Sequence, residues 1–182
     1  MAKRFKLSEG DIFTIPLGNG EFGIGQIVCF PRTKDVFIMI VYDYRAKKYD
    51  ENNIMLALKS SILFLGYSTE ARLYHKMWEI IENSTKNLDE VKMPYHRLGT
   101  PPEEIYLTNY KNERIKAINE KEFQRLEYLT SYAPIRFENA LKAHFGLQEW
   151  ISENYDSVLY EKTLESIRVA NELLNIDGDI KK

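Results

Sequence analysis

Apolar residues run in short segments through the first half of the chain and recur at helical spacing through the last third. Residues 12–15 are a β-favouring run closed by Pro16, which cannot donate a ladder hydrogen bond and belongs at a strand end or edge. Leu17, Gly18, Asn19 and Gly20 supply residues that tolerate the positive φ of a tight hairpin turn. In the strand that follows, Phe22, Ile24 and Gln26 point to one face and Gly23, Gly25 and Ile27 to the other. Two glycines on one face predict a strongly bent strand, or a face that another backbone approaches closely. After a turn at 31–35, residues 36–42 form an almost unbroken apolar run, as in a central strand. Residues 43–53 are polar and predict a loop. Residues 62–65 predict a strand ended by Gly66, and 77–81 one more strand.

The polar stretch 82–104 contains Pro94, Pro101 and Pro102 and predicts a long surface connection. Residues 105–110 and 114–118 flank Lys111-Asn112-Glu113 as a second hairpin. The rest predicts helices. Asn119 and Glu122 have capping-box spacing, Ile118 and Phe123 that of a hydrophobic staple, and Phe123, Leu126 and Leu129 form one stripe. Pro134 opens a second helix carrying Ile135, Leu141 and Phe145 and stopped by Gly146. Leu147, Trp150 and Ile151 suggest a short third. The last helix is expected over 157–174, with Tyr160, Leu164, Ile167 and Leu174 on its apolar face and Gly178 just beyond it. The class is therefore α+β: an N-terminal SH3-like small barrel or strongly bent antiparallel sheet over residues 1–118, then a helical C-terminal region over 119–182 packing on it.

Gly18, Gly20 and Gly23 spell G-x-G-x-x-G, the pattern of a nucleotide-phosphate loop. That loop needs a helix after the glycines, whose amides and dipole hold the phosphates. Here Ile24, Gly25, Gln26, Ile27 and Val28 follow, a strand sequence. A kinase loop would place Val at position 25 and bring V-A-I-K and D-F-G after it. Gly25 stands there, neither motif follows, and His96-Arg97-Leu98 lacks the catalytic-loop aspartate. The glycines are assigned to a hairpin and given no ligand.

A 44% hydrophobic and 13% aromatic content excludes a disordered chain. The net charge of −2 argues against non-specific nucleic-acid binding. Cys29 is the sole cysteine, so neither an internal disulfide nor a cysteine zinc site can form. No stretch approaches the ~18 uninterrupted apolar residues of a membrane span. Basic residues at the start of the chain are followed by no apolar leader core, so a cytoplasmic location is expected.

His75, His96 and His144 form no metal-binding spacing, and no nucleophile elbow occurs. Cys29 sits in an apolar run that would blunt it as a nucleophile, and Glu103-Glu104 are neighbours in a loop. No catalytic residue, metal ligand or cofactor is nominated. Charge is uneven: residues 147–179 hold eight acidic and two basic residues. Glu161, Glu165, Arg168 and Glu172 fall on one helix face at i, i+4, i+7 and i+11. This line is either a solvated face or a contact surface for a basic partner. Glu161, Glu165 and Glu172, with Asp156, are the candidate partner-binding residues.

The opening segment resembles a known family. Gly10-Asp11-Ile12-Phe13-Thr14-Ile15-Pro16-Leu17, then Gly20-Glu21-Phe22-Gly23-Ile24-Gly25-Gln26-Ile27, is similar to the start of the immunity protein 26 family of bacterial polymorphic toxin systems. Trp78-Glu79-Ile80-Ile81 and Pro94-Tyr95 resemble that family's second half. The likeness is carried by residues 8–42, continues to about 110 and leaves out the C-terminal helices. It implies a non-enzymatic inhibitor that binds a cognate secreted or contact-dependent toxin domain, with no catalytic residues to carry over. Two other classes stay open: a small metal-dependent, phosphotriesterase-like hydrolase, which would need the histidines to meet carboxylates, and an SH3-like peptide-binding module with an exposed aromatic groove.

Overall fold

The computed structural model describes residues 6–33 and 35–175. In chain order its elements begin with β1 (Asp11–Pro16), β2 (Phe22–Cys29), β3 (Val36–Ala46), α1 (Glu51–Lys59), β4 (Ile62–Thr69), α2 (Ala71–Tyr74) and β5 (Glu79–Asn83). They continue with β6 (His96–Leu98), β7 (Tyr106–Thr108), β8 (Arg114–Ala117), α3 (Glu120–Phe123), β9 (Ser131–Tyr132), α4 (Pro134–His144), α5 (Ser152–Tyr155) and α6 (Tyr160–Leu174). The fold is α+β. Two compact units form: the stretch ending at Val91 with Ser131–Tyr160, and Lys92–Thr130 with the stretch starting at Glu161.

The first unit is built on a six-stranded sheet in the order β5-β1-β2-β3-β4-β9. All its pairings are antiparallel except β4 with β9. The sheet is open: β5 and β9 are edges, and no closed barrel forms among the described residues. Register shifts between Gly23 and Gly25 and between Ile27 and Cys29 bend β2 against β3.

One sheet face buries Phe13, Ile15, Ile27, Phe37, Met39, Val41 and Phe64 against Phe137, Ala140 and Leu141 of α4. Gly23, Gly25 and Gly66 are the gaps that admit these side chains. A Cβ on Gly66 would stand 2.8 Å from the Phe137 ring, one on Gly25 2.5 Å from the Phe13 ring, and one on Gly23 would strike Leu141. The close approach expected over Gly23 and Gly25 is thus made by side chains, one from a helix and one from the neighbouring strand. Phe13 stacks on Trp78 with ring centres 5.2 Å apart. The Trp78 indole N–H donates to the buried Glu138 carboxylate of α4 at 3.0 Å. Lys142 at 2.7 Å and Arg72 at 3.5 Å balance that charge, as a buried carboxylate requires.

Several elements differ from the sequence pattern. β3 runs on to Ala46 because Arg45 and Ala46 pair with Gly23 and Phe22, so hairpin pairing overrides polar composition. The remainder of the expected 43–53 loop leads into α1, where the Asp50 side chain caps the helix by accepting from the Asn53 N–H at 2.9 Å. Gly66 does not end its strand: β4 continues to Thr69. The 82–104 connection carries a 3₁₀ turn at Leu88–Glu90 and the strand β6. Trp150 lies outside any helix and packs on Phe64 and Tyr155, so the short helix begins only at Ser152.

In the second unit, β6, β7 and β8 form a separate antiparallel sheet. Asn119 and Glu122 complete the capping box reciprocally, at 3.0 and 2.9 Å, while α3 stops at Phe123 and leaves Leu129 outside it. Ile118, Phe123 and Leu126 share a core with Ile105, Leu107, Val169, Ala170 and Leu173. α6 begins at Tyr160, and residues 156–158 form a 3₁₀ turn. Its buried positions are Thr163, Val169, Ala170 and Leu173; of the expected apolar face Tyr160, Ile167 and Leu174 are half-buried, Leu174 against this core, and Leu164 is exposed. Gly178 lies outside the described residues.

Gly25→Ala is expected to cost roughly 1–3 kcal/mol through overlap with Phe13, and Phe13→Leu should cost less in that background than in the wild type. Gly18 has open space around it but a φ of +86°, so Gly18→Ala should cost about 1 kcal/mol, insensitive to Phe13. Urea unfolding of the three single variants and the two double variants with Phe13→Leu checks both.

Candidate functional site

The histidines sit in three different settings. His75 follows α2, exposed, edge-on to the Tyr74 ring with centres 5.2 Å apart. His144 ends α4 with its Nε2 3.0 Å from the Asp43 carboxylate. His96 opens β6 and is buried. Among the described residues no group of three or more His, Cys, Asp or Glu side chains is placed to hold a metal ion.

The acidic candidates divide. Glu161, Glu165 and Glu172 are exposed on α6, as their spacing predicted. Glu165 meets Lys162 at 3.0 Å. Glu172 meets Arg168 at 3.6 Å and forms a tighter pair with Arg125, which holds its carboxyl below the usual carboxylate range. Asp156 precedes α6, in the first compact unit, and accepts the Trp150 indole N–H at 2.8 Å. It is a structural anchor for that indole. The acidic Asp177 and Asp179 lie outside the described residues.

Two buried polar clusters escaped sequence reasoning. Gln26, fully buried on β2, donates to the Ser84 carbonyl at 2.7 Å and accepts from the Tyr42 hydroxyl and from Asn87. Burial pushes the Tyr42 phenol well above its ordinary pKa, so it stays protonated as a donor. Asp11 accepts from the Ser8 amide and from Asn83, both at 2.8 Å. Together these bonds pin the segment after β5 onto the sheet. Only the long-range pairing of Gln26 with Ser84 and Asn87 gives them away, and no local pattern encodes it.

A third feature lies on β6. The Arg97 guanidinium carbon is 4.6 Å from the centre of the Phe123 ring and 4.4 Å from that of Tyr128. The backbone fixes this corner: the Arg97 N–H donates to the Glu127 carbonyl at 3.0 Å, and Arg97 bridges Tyr128 in parallel. The sequence shows Arg97 only as part of His96-Arg97-Leu98. The two rings that frame it come from residues far along the chain.

Burial depresses the His96 pKa from its ordinary 6.5 to about 4. Between those values the unfolded chain binds a proton that the folded chain refuses, so stability falls as pH drops from 6.5 towards 4 and levels off below. The loss is on the order of 3 kcal/mol at most. Urea unfolding at stepped pH should show a shallower slope in this window for His96→Gln than for the wild type; equal slopes would refute the assignment.

The geometry therefore offers structural polar clusters, a partly self-neutralised acidic helix face and an arginine corner. A family model described as Immunity protein 26 matches residues 8–100. No curated protein and no solved structure matches the chain. The match runs from just before β1 through β6, a little over half of the 182 residues, and takes in the glycine hairpin and the strands that carry the core. The chain belongs to the immunity protein 26 family.

Proposed function

We propose that this chain is an immunity protein that binds a cognate bacterial toxin domain in the cytoplasm of the producing cell and blocks it by protein–protein contact, without chemistry of its own. Membership of the immunity protein 26 family carries this reading. The partner is a secreted or contact-dependent toxin. The exposed acidic line Glu161, Glu165 and Glu172 is the proposed steering surface for a basic patch on it; partial pairing with Lys162, Arg125 and Arg168 lowers its net charge without hiding it. Asp156 is proposed separately as a partner-binding carboxylate of the first unit, already accepting the Trp150 indole N–H.

The test is co-expression with the toxin domain encoded beside the gene. The wild-type chain should restore growth and co-purify with the toxin as a stable complex. Growth arrest despite folded, abundant chain would overturn the reading. Replacing Glu161, Glu165 and Glu172 with Lys should slow association about 10-fold or more at low salt, with a smaller change in dissociation. An unchanged on-rate in stopped-flow binding would remove α6 from the interface.

A further inference from the structure

Arg97 carries a charge that the described part of the chain does not balance. Arg45, Arg72, Arg125 and Arg168 each pair with a carboxylate. No such pair forms for Arg97 among the described residues, although it is partly buried. Its guanidinium sits in the corner of two rings set edge to face, with an interplanar angle of 80° and centres 5.7 Å apart. Nη1 donates to the Phe123 carbonyl at 3.3 Å. Nε is buried without an acceptor. Nη2 makes no hydrogen bond among the described residues and is not a fully buried unpaired atom.

Ring faces attract a cation but cannot replace the hydrogen bonds its in-plane N–H groups lose with water. The end of a guanidinium, Nη1 beside Nη2, matches a carboxylate in two parallel bonds, and shielding from water strengthens the match. The wall beside it is also prepared. Tyr128 is 43% exposed, and its hydroxyl donates to the Gly99 carbonyl at 3.0 Å, so the ring is fixed while its surface stays open. An arginine beside an exposed, immobilised tyrosine has the composition of an interface hot spot, and little entropy remains to be lost on binding. A small free anion would satisfy the guanidinium but leave the Tyr128 ring uncovered; a protein side chain carrying its own surface covers both.

We propose that Arg97 anchors an Asp or Glu side chain of the cognate toxin, held by Nη1 and Nη2, with Tyr128 packing beside it. This rests on the immunity-protein reading. The experiment uses the full chain and the toxin domain it protects against. Each Asp and Glu of the toxin is changed to Asn or Gln and its affinity measured against wild-type chain, Arg97→Gln and Arg97→Lys. Both Arg97 variants should bind the wild-type toxin at least about 10-fold more weakly, the lysine because it loses the fork. One toxin carboxylate should cost about 10-fold against the wild-type chain and nearly nothing against Arg97→Gln. Tyr128→Ala should weaken binding while Tyr128→Phe keeps most of it. A purely structural Arg97 would lower the thermal midpoint and leave every toxin carboxylate additive with it; that result, or wild-type affinity in Arg97→Lys, overturns the proposal. If Arg97→Gln does not fold, the cycle is closed with Arg97→Lys. Tight binding with additive cycles removes the Arg97 anchor alone, whereas failure of the wild-type chain to bind removes the immunity reading and the anchor with it.

Discussion

The absence of a side chain at Gly23, Gly25 and Gly66 is the constraint on which the first unit turns. Leu141 and Phe137 of α4 enter where Gly23 and Gly66 leave room, and the Phe13 ring lies over Gly25. Phe13 in turn stacks on Trp78, and Trp78 donates to Glu138 on the same α4. The path closes on itself: strand glycine, ring, indole, helix carboxylate, helix side chain, strand glycine. In a core packed as densely as a crystal, one added methyl anywhere on this path must displace something already in contact. The segment that looks like a phosphate loop is therefore a packing device, and its two positive-φ glycines, Gly18 and Gly20, only turn the hairpin.

What was legible in the sequence was what local chemistry decides. Pro16 closes β1, Asn119 and Glu122 cap α3, Pro134 opens α4, and Gly146 after it takes a φ of +73°. Where distant partners decide, the pattern misled. Gly66 looks like a stop until Phe137 is known to need its space. Trp150 looks helical until its ring is seen against Phe64 and Tyr155. On α6 the large apolar Leu164 is exposed, while the smaller Thr163 and Ala170 are buried. Ser166, on the same turn set, accepts the Tyr95 amide and donates to the Thr163 carbonyl. A face that carries hydrogen bonds and close contacts is chosen for size and polarity, and a reading that ranks positions by hydrophobicity misplaces Leu164.

The candidate interaction residues follow the same division. That Glu161, Glu165 and Glu172 share an exposed face follows from 3.6-residue periodicity alone. That Arg125 neutralises Glu172 does not, because Arg125 lies 47 residues earlier and reaches it only in the folded second unit. Arg97 was less legible still: its rings, Phe123 and Tyr128, and its backbone partner Glu127 arrive from beyond two further strands.

The proposed binding residues divide across the family match: Arg97 lies within residues 8–100, whereas Tyr128 and the acidic line of α6 lie beyond it. The match over 8–100 takes in Gly23, Gly25 and Gly66 but not the α4 side chains Phe137 and Leu141 that enter beside two of them. Surfaces that must fit one partner are free to differ wherever they do not enter the core. An exposed, salt-screened acidic line acts at distances comparable to the Debye length and so governs encounter. A shielded guanidinium acts only at contact, where breaking its bonds exposes a poorly hydrated charge, and so governs escape. An inhibitor of the proposed kind needs both, since a toxin must be caught quickly and then not released. The acidic line can be redrawn without disturbing the fold, whereas Arg97 is set by Phe123, Tyr128 and the Glu127 carbonyl. Under the proposed function, substitutions along α6 would alter encounter with the partner while the Arg97 contact kept its geometry.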